Sequence, residues 1–184
     1  LVGWVALQLL REQAPSLAFD ATAGLSLGEF TALAAADVLG FEEGLRIVRR
    51  RGEVMQDACE ASSGGMVAVV GLDEEAVRSV CDQAGVSLAN LNCPGQIVVS
   101  GDADKMDAAC DAAKAAGAKR AIPLPVAGAY HSPLMQPARA GLAEALAKVE
   151  LSEPSVPVYS NVTGQVHASG GTIAGTMVDQ ITSP

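Results

Sequence analysis

The sequence has few aromatic residues: phenylalanine, tryptophan and tyrosine together make up 3% of its 184 residues. Hydrophobic residues still make up 49% of the chain. A core must therefore be built from alanine, valine, leucine and isoleucine, whose small side chains let neighbouring elements pack closely. This composition predicts a globular protein in which helices pack on a sheet, that is, an α/β fold.

The sequence also has no long apolar run. Residues 1–10 are apolar, but this segment contains Gly3 and Gln8, has no basic leader, and is followed directly by Arg11 and Glu12. A membrane-spanning helix needs about 20 apolar residues, and a signal peptide begins with basic ones. We therefore expect neither in this segment, and a cytoplasmic location.

Positive charge is scarce: 12 Lys and Arg stand against 21 Asp and Glu, for a net charge of −9. General binding to nucleic acid or to an anionic membrane needs a broad basic surface, so this charge balance argues against both, and an anionic partner would need a local basic patch. The cysteines form no C-x-x-C pair and have no histidine at metal-ligand spacing, so a zinc site has no support and they are expected to be small core residues in a reducing cytoplasm. They are Cys59, Cys81, Cys93 and Cys110.

The first third of the chain has the periodicity of a helix, a strand and two further helices. We predict a helix over 2–11, an extended run into 21–24, a helix that opens near Ser26, and an amphipathic helix over 41–59. The predicted apolar stripe of this last helix consists of Phe41, Leu45, Val48, Met55 and Cys59.

Residues 66–125 predict the order β-α-β-β-α-β, which is the ferredoxin-like arrangement. A loop over 125–132, a helix over 134–149, a short strand over 156–160 and a final helical segment follow. We therefore predict an α/β fold in which a hydrolase-like parallel-sheet core, residues 1–65 and 126–184, carries an inserted ferredoxin-like subdomain, residues 66–125. Neither terminus is typical of a domain end, so we expect a central fragment.

Gly24-Leu25-Ser26-Leu27-Gly28 matches G-x-S-x-G where a strand meets a helix, the setting of a nucleophile elbow. There Ser26 Oγ would project above the sheet, and the Leu27 N–H would stabilise an oxyanion. The alternative is that Ser26 caps the helix, with Glu29 three residues on. The five-residue pattern alone does not choose between them.

A serine nucleophile needs a base, and the chain has two histidines. His167 lies in a glycine-bounded turn and is expected to be a solvated loop residue. His131 lies in a loop after a predicted strand and before a helix, where functional residues tend to gather, although a structural role is open to it too.

The cluster of arginines on the helix over 41–59 offers a cation. Arg50 lies opposite the predicted apolar stripe, and Arg49 and Arg51 flank that stripe on either side. Helical geometry therefore excludes Arg50 from a buried site, but it does not show whether Arg49 or Arg51 would supply the cation there.

Four segments together resemble the malonyl-CoA:acyl-carrier-protein transacylases of fatty-acid synthesis and the acyltransferase domains of polyketide synthases. The resemblance runs through nearly the whole chain in the right order. The segments are Gly24-Leu25-Ser26-Leu27-Gly28-Glu29-Phe30, Arg51-Gly52-x-x-Met55-Gln56, Asn90-x-Asn92-x-Pro94-Gly95-Gln96 and Gly128-Ala129-Tyr130-His131-Ser132-Pro133-Leu134-Met135.

The resemblance implies ping-pong transfer of a malonyl group from malonyl-CoA, through a seryl ester, to the phosphopantetheine thiol of acyl carrier protein. It implies that Ser26 takes the malonyl group, His131 activates Ser26, and Arg51 holds the malonyl carboxylate. Tyr130, where malonyl-selective members commonly have phenylalanine, would wall the acyl pocket, and Asn161 would lie near the floor of the active site in a supporting rather than catalytic role. Malonyl-CoA is a substrate and no cofactor is implied. The partner would be acyl carrier protein, with the enzyme a monomer or part of a larger synthase.

The sequence departs from the family at Leu25, which stands where a histidine usually precedes the nucleophile. That histidine is not the base, so the Ser26 and His131 pair is expected to remain. Two family segments would lie outside this chain: an N-terminal glutamine motif that completes the oxyanion hole, and a segment just after Pro184 whose backbone orients the histidine.

Two other functions compete with this one. A lipase-like serine hydrolase shares G-x-S-x-G, but it needs an acid partner for its histidine and has no use for an arginine beside the acyl group. A non-catalytic acyltransferase-like scaffold would leave Ser26 without any acyl label.

Overall fold

The computed structural model describes all 184 residues of the chain. It is an α/β fold, as predicted, with a parallel strand pair and helices. The elements, in chain order, are α1 Val2–Gln13, β1 Thr22–Ala23, α2 Leu27–Ala35, α3 Phe41–Glu60, β2 Gly64–Val70, α4 Glu74–Ala84, β3 Ser87–Cys93, β4 Gln96–Asp102, α5 Met106–Ala115, β5 Arg120–Pro123, α6 Ala138–Leu146, β6 Val158–Tyr159 and α7 Gly170–Asp179.

Contacts between Cα atoms divide the chain into two compact units. The first unit comprises Leu1–Gly52 and Ala140–Gln180. Its strands β1 and β6 run parallel and pair through Thr22 with Val158. Phe30 is the one aromatic residue among the buried hydrophobic side chains, as the scarcity of aromatics predicts. The rest of the core in this unit is aliphatic, with a run of small residues in α2 and just after it: Ala32, Ala34, Ala35 and Ala36.

The second unit comprises Glu53–Arg139 and Ile181–Pro184. Within it, β2 to β5 form one antiparallel sheet in the order β3-β4-β2-β5, and the elements follow the predicted order β-α-β-β-α-β. Strands β3 and β4 are joined by Pro94 and Gly95, and Gly95 has a φ of 79°, which glycine adopts without strain. Alternate residues of β2 face opposite sides of the sheet, so Val67 and Val69 pack with α4 and α5.

The predicted helix over 134–149 is interrupted in the structure. A short 3₁₀ turn covers Pro133–Met135, and α6 begins only at Ala138. Pro137 explains the break, because proline has no N–H to continue a preceding helix and is well suited to a position just before a new one.

The predicted apolar stripe of α3 is partly wrong. Met55 and Cys59 are buried as expected, but Leu45 is 45% exposed, whereas Gly44 and Ile47 are buried. The buried face of α3 includes Gly44, which has no side chain to mark it as apolar. A stripe defined by large apolar residues is therefore displaced from the face that is buried.

The cysteine thiols are all free. Burial raises the pKa of the Cys81 thiol to about 11, with the Asp82 carboxylate adding to the rise. Burial also raises the pKa of Cys110. These two side chains belong to the apolar core between α4, α5 and the sheet, where their role is packing.

None of the helices combines the length and the apolar character that crossing a membrane requires.

Candidate active site

Ser26 lies at the sharp turn between β1 and α2. Its backbone has φ 48° and ψ −108°, a conformation that residues other than glycine rarely adopt. Such strain persists only where the surroundings hold it, and it is characteristic of a serine presented by a nucleophile elbow. The local backbone therefore has the geometry that the G-x-S-x-G pattern requires.

The two glycines of the motif have different roles. A Cβ on Gly24 would lie 2.1 Å from the carbonyl carbon of Gly28, whereas a Cβ on Gly28 would meet nothing within 4 Å. The tight turn therefore depends on the missing side chain of Gly24. Gly28 contributes the backbone against which Gly24 packs.

We expect Gly24→Ala to lower the free energy of unfolding by about 3 kcal/mol, because the new methyl group would collide with backbone that has no room to move. Gly28→Ala is the matched control and should be neutral or stabilising by up to about 1 kcal/mol, since alanine is the better helix former. Urea unfolding of both variants measures the difference. Equal unfolding midpoints for the two would contradict this account of the turn.

The side chain of Ser26 does not cap α2, in contrast to the alternative role considered above. No hydrogen bond runs from the helix N-terminus to Ser26 Oγ, and the Glu29 N–H donates instead to the Ser26 carbonyl oxygen at 3.1 Å. Arg51 Nη2 donates a hydrogen bond of 2.9 Å to Ser26 Oγ. The hydroxyl is thus turned towards a guanidinium.

Arg51 is the buried arginine of its cluster: it is 7% exposed, whereas Arg49 and Arg50 are both exposed. Its guanidinium carbon lies 5.8 Å from the centre of the Phe30 ring. The choice between Arg49 and Arg51, which helical geometry left open, is decided by burial. A cation held beside a serine hydroxyl can bind a substrate carboxylate through two charge-assisted hydrogen bonds.

A network of buried hydrogen bonds holds Arg51 in this position. Gln180 Oε1 accepts from Arg51 Nη2 at 3.0 Å, and Gln180 Nε2 donates to Glu29 Oε2. Glu29 Oε1 in turn lies 2.9 Å from His167 Nε2. Glu29 and Gln180 are both fully buried.

The expectation that His167 is a solvated loop residue is wrong. His167 is 8% exposed, and its ring lies between Glu29 and Thr176. The physical reason is the buried carboxylate, which is costly without a partner. Glu29 is the one charged residue of α2, and its burial requires a polar partner, but nothing in the sequence indicates which residue that partner is.

Asn161 contacts the elbow directly. Its Oδ1 accepts a hydrogen bond of 2.6 Å from the Ser26 N–H, and its own N–H donates to Glu29 Oε1 at 3.1 Å. Leu25 and Leu27, on either side of the serine, are more than half exposed. Leu27 is the first residue of α2, so its N–H has no carbonyl partner within the helix.

His131 belongs to the second unit and is 5% exposed. Its φ is 57°, and its Nδ1 lies 2.9 Å from the carbonyl oxygen of Ser183. A carbonyl only accepts, so Nδ1 carries the hydrogen and Nε2 is the basic nitrogen. The resemblance implies an orienting backbone just after Pro184, whereas in this structure the carbonyl that contacts His131 Nδ1 is that of Ser183.

Tyr130 precedes this histidine and is partly buried against the sheet of the second unit. Its neighbours are Met66, Ala89 and Val98, on the sheet face opposite α4 and α5. No group of three or more His, Cys, Asp or Glu side chains is arranged to hold a metal ion.

The model of the acyl transferase domain family matches residues 6–184. The malonyl CoA-acyl carrier protein transacylase of Bacillus subtilis (strain 168) is 46% identical over 170 residues, which cover 90% of this chain and 54% of that protein. The enzyme of the same name from Escherichia coli (strain K12) is 40% identical over 188 residues, covering 100% of this chain and 61% of that protein.

Solved structures agree with the sequence comparisons. An acyl carrier protein S-malonyltransferase from Vibrio cholerae superimposes with a TM-score of 0.93 at 38% identity, covering 99% of this chain and 61% of that one. A malonyl-transacylase solved in complex with a type II PKS acyl-carrier protein also gives a TM-score of 0.93 at 38% identity, covering 99% and 60%.

The chain spans between 54% and 61% of the length of these relatives. The family model matches nearly all of this chain, including the elbow serine, the buried arginine and the histidine loop. The chain therefore belongs to the acyl transferase domain family.

Proposed function

We propose that this chain carries the active site that transfers a malonyl group from malonyl-CoA to the phosphopantetheine thiol of acyl carrier protein. The observation that carries the proposal is the 2.9 Å hydrogen bond from Arg51 Nη2 to Ser26 Oγ. It sets a fixed cation beside a strained serine, and malonyl, unlike a simple acyl group, brings a free carboxylate to such a site.

The chemistry proceeds in two half-reactions. Ser26 Oγ attacks the thioester carbonyl of malonyl-CoA while His131 Nε2 takes the hydroxyl proton, and coenzyme A leaves as the thiol once it receives that proton. The phosphopantetheine thiol then attacks the seryl ester, and Ser26 regains its proton through His131. The proposal requires His131 Nε2 to come within hydrogen-bond reach of Ser26 Oγ.

The remaining predicted residues support these steps. The Leu27 N–H stabilises the oxyanion that forms at the carbonyl in each half-reaction. Asn161 holds the Ser26 backbone in its strained conformation through the 2.6 Å hydrogen bond. Tyr130 walls the acyl pocket. All of this chemistry uses side chains and backbone groups of the protein together with the two substrates, and requires no cofactor.

The architecture and the partner follow from the same proposal. We assign residues 1–65 and 126–184 to a hydrolase-like core and residues 66–125 to a ferredoxin-like insert. The strand order β3-β4-β2-β5 supports the assignment of the insert.

Acyl carrier protein is the proposed partner, because a transacylase of this family has been solved with one. The four free thiols suit a cytoplasmic location.

A transfer assay separates this function from a serine hydrolase. The protein, as its gene encodes it, is mixed with malonyl-CoA and holo acyl carrier protein, and malonylated carrier is quantified by mass. In parallel it is mixed with a neutral p-nitrophenyl ester. We expect carrier malonylation to exceed ester hydrolysis by orders of magnitude. Ester hydrolysis without thiol-dependent transfer would contradict the proposal and favour an esterase.

A further inference from the structure

Gln180 is the residue that connects the candidate carboxylate-binding arginine to the rest of the buried network. It directly follows α7 and is fully buried. Its Oε1 accepts from Arg51 Nη2 at 3.0 Å, and its Nε2 donates to the Ser26 carbonyl oxygen at 3.1 Å and to Glu29 Oε2. One carboxamide therefore touches the arginine, the nucleophile's backbone and a buried carboxylate.

The orientation of this carboxamide is determined by its partners. Arg51 can only donate, whereas the Glu29 carboxylate and the Ser26 carbonyl can only accept, so the amide oxygen must face the arginine and the amide nitrogen the other two. Glu29 is itself held by His167 Nε2 at 2.9 Å and by the Asn161 N–H at 3.1 Å. The amide therefore has no freedom to flip.

This rigidity matters most when Ser26 is acylated. In the free enzyme the two Nη2 hydrogens of Arg51 have two acceptors, Ser26 Oγ and Gln180 Oε1. Acylation converts the hydroxyl to an ester oxygen, which is a weaker acceptor, and brings a carboxylate that competes for the guanidinium. The bond to Gln180 does not depend on the acyl state and keeps the guanidinium at the seryl ester.

We propose that Gln180 is a positioning residue that acts through Arg51 and thereby sets the preference for an acyl group with a free carboxylate. This inference rests on the proposed transfer function, since it takes Arg51 as the carboxylate-binding group. Glu29 and His167 contribute by fixing the Gln180 amide, without contacting the substrate.

The test compares malonyl-CoA with acetyl-CoA as donors for Gln180→Met, a variant of similar length that makes no such hydrogen bonds. We expect kcat/KM for malonyl-CoA to fall about 10- to 100-fold relative to that for acetyl-CoA, the size expected when a hydrogen bond to a charged group is lost. Gln83→Met, at an exposed glutamine of α4, is the matched control and should keep the wild-type ratio.

A purely structural role for Gln180 predicts a different result. Lower stability would reduce activity towards malonyl-CoA and acetyl-CoA by the same factor, so an unchanged donor ratio in Gln180→Met overturns the inference. If that variant does not fold, Gln180→Glu replaces it. Its carboxylate would compete with the malonyl carboxylate for Arg51, so we expect a malonyl-specific rise in KM, and an equal effect on both donors again overturns the inference.

A double variant shows whether Gln180 acts through Arg51. In the Arg51→Ala background, Gln180→Met should not change the donor ratio further, because the group it positions is gone. An additional fall in the ratio there overturns the inference. If Arg51→Ala alone leaves the ratio at the wild-type value, the carboxylate-binding role fails and this inference with it. If Arg51→Ala alone collapses the ratio but Gln180→Met does not, only the Gln180 inference fails.

Discussion

Ser26→Ala is expected to abolish the covalent malonyl-enzyme and to lower kcat for malonyl transfer by roughly a million-fold, the scale of loss when a serine nucleophile is removed from an enzyme that depends on one. Brief exposure of the protein to malonyl-CoA, followed by intact-mass measurement, should show one added malonyl group in the wild type and none in the variant. Because Ser26 Oγ does not cap α2, the substitution should leave the fold intact.

The strongest control for the nucleophile is His131→Ala. It leaves Ser26 in place, so the malonyl group should still be taken up, but slowly, because the hydroxyl has lost its base. Labelling of Ser26→Ala at the wild-type rate would show that another residue is the nucleophile. No labelling of the wild type would favour the non-catalytic scaffold.

Arg51→Ala is expected to reduce kcat/KM for malonyl-CoA by about 30- to 5,000-fold relative to acetyl-CoA. This range corresponds to the roughly 2–5 kcal/mol lost when one partner of a desolvated charge pair is removed. Arg51 is 7% exposed, so a carboxylate beside it would be largely shielded from water. Acetyl has no carboxylate, and its transfer should therefore be affected much less.

Three further variants make the Arg51 test specific. Arg51→Lys should restore the preference only in part, because an ammonium keeps the charge but not the planar fork that matches a carboxylate. Arg49→Ala and Arg50→Ala change exposed arginines of the same helix and should keep the wild-type donor ratio. If Arg49→Ala abolished the preference for malonyl-CoA over acetyl-CoA while Arg51→Ala kept it, Arg49 would be the residue that binds the carboxylate.

Much of the secondary structure could be predicted because it follows from neighbours in the chain. The β-α-β-β-α-β order of the second unit follows from short apolar runs in its strands, such as residues 66–70, and from signals such as Asp73, whose side chain caps α4 by accepting from the Ala76 N–H. The helical periodicity over 134–149 does not reveal the break before α6, because apolar spacing continues across Pro137 while the backbone hydrogen bonding does not.

The candidate site was predictable only in part. The elbow could be recognised because Gly24 and Ser26 are adjacent to a strand end and a helix start, all within a few residues. The burial of Arg51 and His167 could not be recognised in the same way, because both are polar residues whose positions depend on partners far away in the sequence. A hydrophobic pattern does not show which polar residue is buried, because hydrogen bonds to such distant partners offset the cost of burying it.

Local sequence is enough to predict the α/β class, the strand, turn and helix around Ser26, and the resemblance to an acyltransferase family, because these depend on local propensity and on short motifs. The resemblance already implied a role for Arg51. The folded chain was needed to show that Arg51 contacts Ser26 Oγ, that His167 is buried, and that Gln180 contacts Arg51 and Glu29. The hydrogen bonds responsible link residues 129, 138 and 151 positions apart: Arg51 with Gln180, Glu29 with His167, and Glu29 with Gln180. Pairings over such distances arise only when folding brings the elements together, so no local pattern of residues encodes them.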